Sequence, residues 1–343
     1  MTGDRHDRRL ASCRCPDSNR SNVAQREPAD RQEGREGLVA PSKDFAQLDW
    51  DETLADDCRQ IVRLAIREDL AQAQDWTSMA LAPEEARGQA TLVAREAGTV
   101  AGLQAAALAL DEMQVPIAWR PAANDGQRVA AGDGLAELSG PVRALLTAER
   151  LLLNLIGRLS GVATLTRQFV QAVQGTSAGV YDTRKTTPGW RRLEKYAVRC
   201  GGGRNHRTGL FDAVLIKDNH LALMQLRPGE AVRRARDFLR SSLRDPDQAE
   251  AMIIEVEVDT LEQLEDALPA GPDLILLDNM SLSQLRAAVV RRDAVAPGVE
   301  LEASGGVNLQ TVRAIADTGI ERISVGALTH SAVALDVALD WSA

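Results

Sequence analysis

Residues 213–220 read Ala213-Val214-Leu215-Ile216-Lys217-Asp218-Asn219-His220, four apolar residues that pass without a break into charged and polar ones. A short apolar run that ends this way reads as a buried strand. The pattern recurs in both directions along the chain. Gly179-Val180-Tyr181 lies upstream, and Met252-Ile253-Ile254, Leu274-Ile275-Leu276-Leu277, Glu300-Leu301-Glu302 and Arg322-Ile323-Ser324-Val325 follow downstream. Between them, helices are predicted around residues 190–199, 229–240, 260–268, 281–292 and 308–318. Such alternation implies parallel strands joined by crossover helices, hence an α/β barrel or an open doubly wound sheet. The barrel is the expected form, although alternation alone does not close a sheet.

The residues before this region differ in character. Residues 1–43 are rich in Arg, Asp, Glu, Ser and Gln and nearly empty of large apolar side chains, so a disordered tail is expected there. The tail lacks the apolar stretch of a signal peptide and is too acidic for a transit peptide. Apolar residues at Leu54, Cys58, Ile61, Val62, Ala65 and Ile66 predict a helix. From Gly88 to Pro141, short apolar runs separated by glycines predict a small β-rich domain with a helix near residues 102–113. Its Asn124-Asp125-Gly126 turn resembles a lipoyl-type hammerhead, but no modifiable lysine is present there. Residues 143–173 form a long amphipathic helical region that bridges to the strand-helix region.

The chain has 343 residues, is 44% hydrophobic and carries a net charge of −9. That length suits two domains. The negative charge speaks against a nucleic-acid partner, since phosphate backbones select for excess Lys and Arg. No apolar run approaches the roughly 20 residues of a membrane span, so a cytoplasmic protein without membrane contact is expected. Four cysteines, at positions 13, 15, 58 and 200, form no pair of metal-binding pairs.

In a parallel α/β fold the ligand site lies at the carboxyl ends of the strands. Here those ends are Asp182-Thr183-Arg184-Lys185-Thr186-Thr187-Pro188, Lys217-Asp218-Asn219-His220, Glu255-Val256-Glu257-Val258-Asp259, Asp278-Asn279, Ser304-Gly305-Gly306 and Gly326-Ala327. Between Asp182 and His220 stand nine Lys or Arg residues against four Asp or Glu, inside a chain of net charge −9. This is an anion site in prospect. Arg191, Arg192, Lys195 and Arg199 read equally well as a solvated helix face, whereas Arg184, Lys185, Arg207 and Lys217 sit at strand ends or in a glycine-rich loop. Guanidinium forks suit carboxylates and phosphates because they bind two oxygens at once. Ser304-Gly305-Gly306 and Gly326-Ala327 can turn successive backbone N–H groups toward a phosphate. Glu257 and Asp278 could hold Mg²⁺, bond sugar hydroxyls or act as an acid/base pair. Glu255 shares the face of Glu257 by period two, and the choice between them stays open at this level.

As a set, these residues resemble the type II phosphoribosyltransferases and, within them, the quinolinate phosphoribosyltransferase family. The matching motifs include Thr147-Ala148-Glu149-Arg150, Leu159-Ser160-Gly161-Val162-Ala163-Thr164, Asp182 to Gly189, Gly203-Arg204-Asn205-His206-Arg207, Ile216 to His220, Glu255-Val256-Glu257-Val258, Leu277-Asp278-Asn279 and Glu302-Ala303-Ser304-Gly305-Gly306. The likeness runs from about residue 44 to the C-terminus. It implies an α/β sandwich domain over 44–150, an open α/β barrel over 151–330 and a C-terminal helix over 331–343 that returns to the first domain. It also implies a homodimer in which Arg150 reaches the other subunit's site. Arg184, His206 and Arg207 would bind quinolinate, and Lys185 and Lys217 would face both substrates. Glu257 and Asp278 would hold Mg²⁺ and the ribose hydroxyls, which selects Glu257 over Glu255. Ser304, Gly305, Gly306, Gly326, Ala327 and His330 would line the phosphate region. The implied activity moves phosphoribosyl from phosphoribosyl pyrophosphate to quinolinate with loss of CO₂. The alternatives are a nicotinate phosphoribosyltransferase-like paralogue and a non-catalytic phosphate-binding barrel.

Overall fold

The computed structural model describes residues 43–342. Most of the proposed tail, and with it Cys13 and Cys15, lies outside the described residues. The folded chain opens with an extended segment, Lys43–Trp50, and then the helix Glu52–Leu70, whose N-cap Asp51 accepts from the Leu54 N–H. Capping of this kind satisfies one of the free N–H groups that every helix leaves at its start.

Five strands follow: β1 (Arg87–Ala94), β2 (Gly98–Thr99), β3 (Ala118–Pro121), β4 (Arg128–Val129) and β5 (Gly134–Pro141). The helix Leu103–Met113 sits between β2 and β3. Next comes the 31-residue helix Val142–Ala172, which at 1.5 Å per residue is about 46 Å long. It buries residues along its whole length, from Leu145 to Phe169. A domain boundary at residue 150 therefore falls inside a continuous helix.

Beyond it lie β6 (Gly179–Tyr181), β7 (Ala213–Ile216), β8 (Ile253–Val258), β9 (Leu274–Asp278), β10 (Glu300–Ser304) and β11 (Arg322–Ser324). All are parallel, in the order β6-β11-β10-β9-β8-β7. That order is the chain order rotated by one, with the first strand beside the last. A doubly wound sheet reverses direction at its first strand, whereas this sheet runs one way from β7 through β11 to β6, as the strands of an open α/β barrel do, and the barrel expectation holds. Closure between β6 and β7 is incomplete. Arg204 lies along the β6 side of the gap: it bridges Tyr181, its N–H donates to the Val180 carbonyl at 2.8 Å, and its carbonyl accepts from Asp182 at 3.0 Å.

The C-terminal segment corrects one expectation. In place of a helix over 331–343, the chain makes β12 (Val337–Trp341), antiparallel to β1, so the first sheet has the order β12-β1-β5-β3. Val337 and Leu339 alternate into the core. The backbone groups along β1 need a second partner, and pairing with β12 supplies it. To reach β1 the chain runs flush against the long helix. The Leu335 N–H donates to the Gly157 carbonyl at 2.9 Å, and a Cβ on Gly161 would lie 2.1 Å from the Val333 carbonyl oxygen. Gly161→Ala is expected to destabilise the fold by roughly 1–3 kcal/mol, as overpacking does, read as a lower urea midpoint with an unchanged slope.

Candidate active site

The site begins at the end of β6. Asp182 is fully buried and accepts from the ammonium of Lys195, the His206 backbone N–H at 2.9 Å and the Asn205 amide at 2.7 Å. Lys195 also donates to the His206 carbonyl at 2.8 Å. Burial pushes the Asp182 carboxyl up and the Lys195 ammonium down, and the contact between them opposes both shifts. Lys195 therefore belongs neither to a solvated face nor to an anion site. It holds the Arg204–Arg207 segment against β6. A second buried carboxylate, Glu194, accepts from Thr187 through its backbone N–H at 3.0 Å and its hydroxyl at 2.9 Å, and from Arg158. It fixes the loop that carries Arg184 and Lys185. Thr329 adds a hydroxyl bond of 2.7 Å to the Lys185 carbonyl. Sequence reading missed Glu194 and Thr329, and it placed Asp182 at a strand end without its supporting role. Asp182 directly follows the strand run, which was its one visible signal.

Above these supports is a pocket of about 430 Å³ at the strand ends, lined among others by Arg184, Lys185, His206, Arg207, Lys217, Glu257, Asp278 and Ser304. That volume falls within the usual range for small-molecule sites. Eight of the predicted residues thus converge in one cavity. The Lys217 ammonium lies 2.8 Å from Glu257 Oε2. Arg184 Nε is buried without a hydrogen-bond partner, and burial followed by the charge of Arg184 pushes Arg207 below the usual arginine range. Two guanidiniums that repel each other in a partly buried pocket are stabilised by an anion placed between them.

Gly305 and Gly306 adopt φ of +93° and +62°. At Gly305 both the positive φ and the space call for glycine, since a Cβ there would lie 2.1 Å from the Asn279 Oδ1 and 3.0 Å from its backbone nitrogen. Asn279, itself at φ +52°, donates its N–H to the Ser304 carbonyl at 2.9 Å. The helix after this turn, Val312–Ala316, starts later than predicted, so any phosphate cradle here is the glycine turn itself. Gly326 caps the short helix Ala327–His330, and a Cβ on it would meet Lys185 Cδ at 3.1 Å and His330 Nε2 at 3.2 Å. Gly326, Ala327, His330 and Lys185 are therefore neighbours. Arg150 is not brought into this pocket. It is exposed and lines a separate groove with Asp75, Thr77 and Leu81.

The pocket floor is a layer that sequence reading left undecided. Glu255, one strand layer below Glu257, has Oε2 3.0 Å from His206 Nε2, and Glu302 Oε1 lies 3.5 Å from the same nitrogen. All three groups are buried. Three such ligand types can hold a metal, but His206 Nδ1 accepts the Arg207 N–H at 2.8 Å. A neutral His206 ring in this geometry carries its proton on Nε2, where a metal would need a lone pair. Burial pushes the Glu302 carboxyl up to about 7. Burial works to lower the His206 pKa, and the two carboxyls outweigh it and raise it.

Two family models match the chain. The C-terminal domain of quinolinate phosphoribosyl transferase covers residues 162–340, and the N-terminal domain of the same enzyme covers 75–160. The chain belongs to the quinolinate phosphoribosyltransferase family. The nicotinate-nucleotide pyrophosphorylase (carboxylating) of Mycobacterium leprae is 46% identical over 287 residues, 83% of this chain and 97% of that protein. A probable nicotinate-nucleotide pyrophosphorylase (carboxylating) of Bacillus subtilis is 41% identical, over 78% of this chain and 87% of its own. The solved structure of the Francisella tularensis nicotinate-nucleotide pyrophosphorylase superposes with a TM-score of 0.78 at 36% identity, covering 87% of this chain and 100% of that one. In quinolinate phosphoribosyltransferase terms, the two family domains meet near Gly161, in the middle of the long helix.

The floor yields a pH prediction. Glu302 titrates at about 7 in the fold against an ordinary 4.5, so between these values the folded chain holds the extra proton. The contribution of this carboxyl to stability is thus present at low pH and is lost as pH rises through about 7. In Glu302→Gln, stability relative to the parent is expected to improve between pH 5 and pH 7.5, measured as the difference in urea midpoints at each pH.

Proposed function

We propose that this chain transfers the phosphoribosyl group of phosphoribosyl pyrophosphate to quinolinate with loss of CO₂, giving nicotinate mononucleotide and pyrophosphate for NAD biosynthesis. The observation that carries the reading is the meeting of Arg184, Lys185, Arg207 and Lys217 with Glu257 and Asp278 in one pocket. Relatives that align over 83% and 78% of the chain and are named for this chemistry support it. Two carboxylates on a pyridine ring call for more than one guanidinium, and Arg184 and Arg207 supply two. No helix among the described residues is long and apolar enough to cross a membrane, and we place the enzyme in the cytoplasm.

In the proposed mechanism, Arg184, His206 and Arg207 orient the ring so that its nitrogen faces C1 of the sugar. The nitrogen forms a bond to C1 as the C1–oxygen bond to pyrophosphate breaks, and Lys185 and Lys217 face the charge that develops on the leaving group. Glu257 and Asp278 bond the ribose hydroxyls, while the Ser304–Gly306 turn, Gly326, Ala327 and His330 receive the phosphates. Once the ring nitrogen is quaternary, the carbon–carboxylate bond breaks, the electron pair passes toward the pyridinium, and a proton takes the vacated position.

Glu257 and Asp278 fit Mg²⁺ as hard oxygen donors on adjacent strands. The neighbouring Asp259 carboxyl is raised by burial and then by Asp278 and Asp218, so negative charge is concentrated where a cation is needed. When bound there, Mg²⁺ would neutralise pyrophosphate charge.

We also propose a homodimer with shared sites. Arg150 stands away from its own pocket, beside exposed Leu146 and Leu81. Past the open edge of the barrel at β7 lies an apolar groove that includes the exposed Met224 and Phe238. Each face suits a second copy of the chain.

The test is turnover of quinolinate with phosphoribosyl pyrophosphate and Mg²⁺, following nicotinate mononucleotide and CO₂, with nicotinate in parallel. Product from quinolinate alone supports the reading, turnover of nicotinate alone assigns the paralogue's activity, and silence with both favours a binding protein. Lys217→Met is expected to lower kcat by roughly 10²–10³, the scale of losing one charge-stabilising group. Arg150→Ala and Lys217→Ala, each inactive alone, are expected to recover about a quarter of parental activity when mixed and reassociated, because each mixed dimer regains one intact site.

A further inference from the structure

The segment Lys43–Leu48 crosses the end of the barrel opposite the pocket. Lys43 pairs with Asp273 at 2.8 Å, just before β9, and its carbonyl accepts from Arg322, the first residue of β11, at 2.9 Å. Asp44 takes a second bond from Arg322 at 2.9 Å and one from the Tyr181 hydroxyl. Between these anchors Phe45, 5% exposed, turns up into the barrel. It forms a small core of its own with Tyr181, Ala213, Ile253 and Leu274, near the bases of β7, β8 and β9. Its ring stacks on His206, with centroids 4.2 Å apart and planes 28° from parallel.

The same strap grips the backbone that carries His206. Gln47 bonds both ways with Asn205, accepting its N–H at 2.8 Å and donating to its carbonyl at 3.1 Å, and the Leu48 N–H reaches the Asn205 side chain at 2.8 Å. His206 is thus bounded by Phe45 below, by Glu255 and Glu302 beside Nε2, and by the Arg207 N–H at Nδ1. The side left open is the pocket. The strap lies more than 150 residues away in the chain from what it holds, and before residue 75, where the family match begins.

We propose that the strap Lys43–Leu48 is a working part of the aromatic-diacid pocket, with Phe45 the positioning residue for the His206 ring and Gln47 the positioning residue for the His206–Arg207 backbone. The inference rests on the function proposed above. It assigns the strap an effect on one substrate only, because the strap touches the His206–Arg207 segment and not the glycine turns or Lys217.

The experiment compares the full chain with Phe45→Ala, Phe45→Leu and Gln47→Ala in steady-state kinetics with each substrate varied. Quinolinate KM is expected to rise about tenfold in Phe45→Ala, a smaller loss than the roughly hundredfold that a full 1 Å misplacement can cost. The KM for phosphoribosyl pyrophosphate should stay within about twofold, and Phe45→Leu should recover part of the loss by refilling the floor. With four histidines in the chain, ¹⁵N spectra of the imidazoles give a second readout. At a pH above its raised pKa, His206 should show the Nε2–H tautomer in the parent and a mixture in Phe45→Ala. An unchanged quinolinate KM with an unchanged His206 spectrum overturns the proposal, and so does an equal weakening toward both substrates with a lowered Tm. If Phe45→Ala does not fold, Gln47→Ala carries the same test. If the parent does not turn over quinolinate, the function reading fails, and the His206 spectra alone decide the strap.

Discussion

The buried pair of Lys195 and Asp182 is the interaction on which the site depends. β6 and β7 are not hydrogen-bonded to each other, so the barrel needs something else to hold its seam. Asp182 supplies it by gathering the Lys195 ammonium, the Asn205 amide and the His206 N–H at one carboxylate. A charge so deep is tolerable only with its counter-charge and its hydrogen bonds all in place. The arrangement therefore fixes the Arg204–Arg207 segment in one conformation, and Arg207 and His206 take their positions in the pocket from it.

Charge is layered along the barrel axis. The mouth carries lysines and arginines with the carboxylates of Glu257 and Asp278 at one side. Below lies the floor of Glu255, Glu302 and His206. Deeper still, Arg322, 2% exposed, pairs with Asp44 and Glu300 and lies over the Tyr181 ring at 4.8 Å. Each layer faces one of opposite tendency, which limits how far any single charge is left uncompensated in the low-dielectric interior. The chain's net charge of −9 conceals this, since the positive charge is concentrated where an anionic ligand would enter.

The barrel and the pocket were legible because strand ends announce themselves: an apolar run followed by Lys217 or Asp278 has few other readings. The supports beneath were not legible. Glu255 and Glu257 share a face by period two, and only the stacking of layers shows that one meets His206 and the other Lys217. Lys195 looks in sequence like any solvated helix lysine, and its burial follows from the packing of its helix on the long helix Val142–Ala172 and from its bond to Asp182. The stretch Ala332 to Leu339 is rich in Ala, Val and Leu, and short apolar runs of that kind do not distinguish helix from strand. Its state was decided by the open edge of β1, a partner very far away in the chain.

That last pairing has a consequence for how the protein is made. β12 places Val337 opposite Ala94, so the first sheet stays one strand short until the chain has left the ribosome through the β12 residues, more than 200 positions after β1. Domains ordinarily fold one by one during synthesis, but here the early domain waits for the late one, with β1 exposed as an unpaired edge in the interval. Contacts so distant in sequence also slow folding. The two halves are thus not interchangeable modules: expressed alone, the first would lack its edge strand, and the second would end in a strand with nothing to pair with.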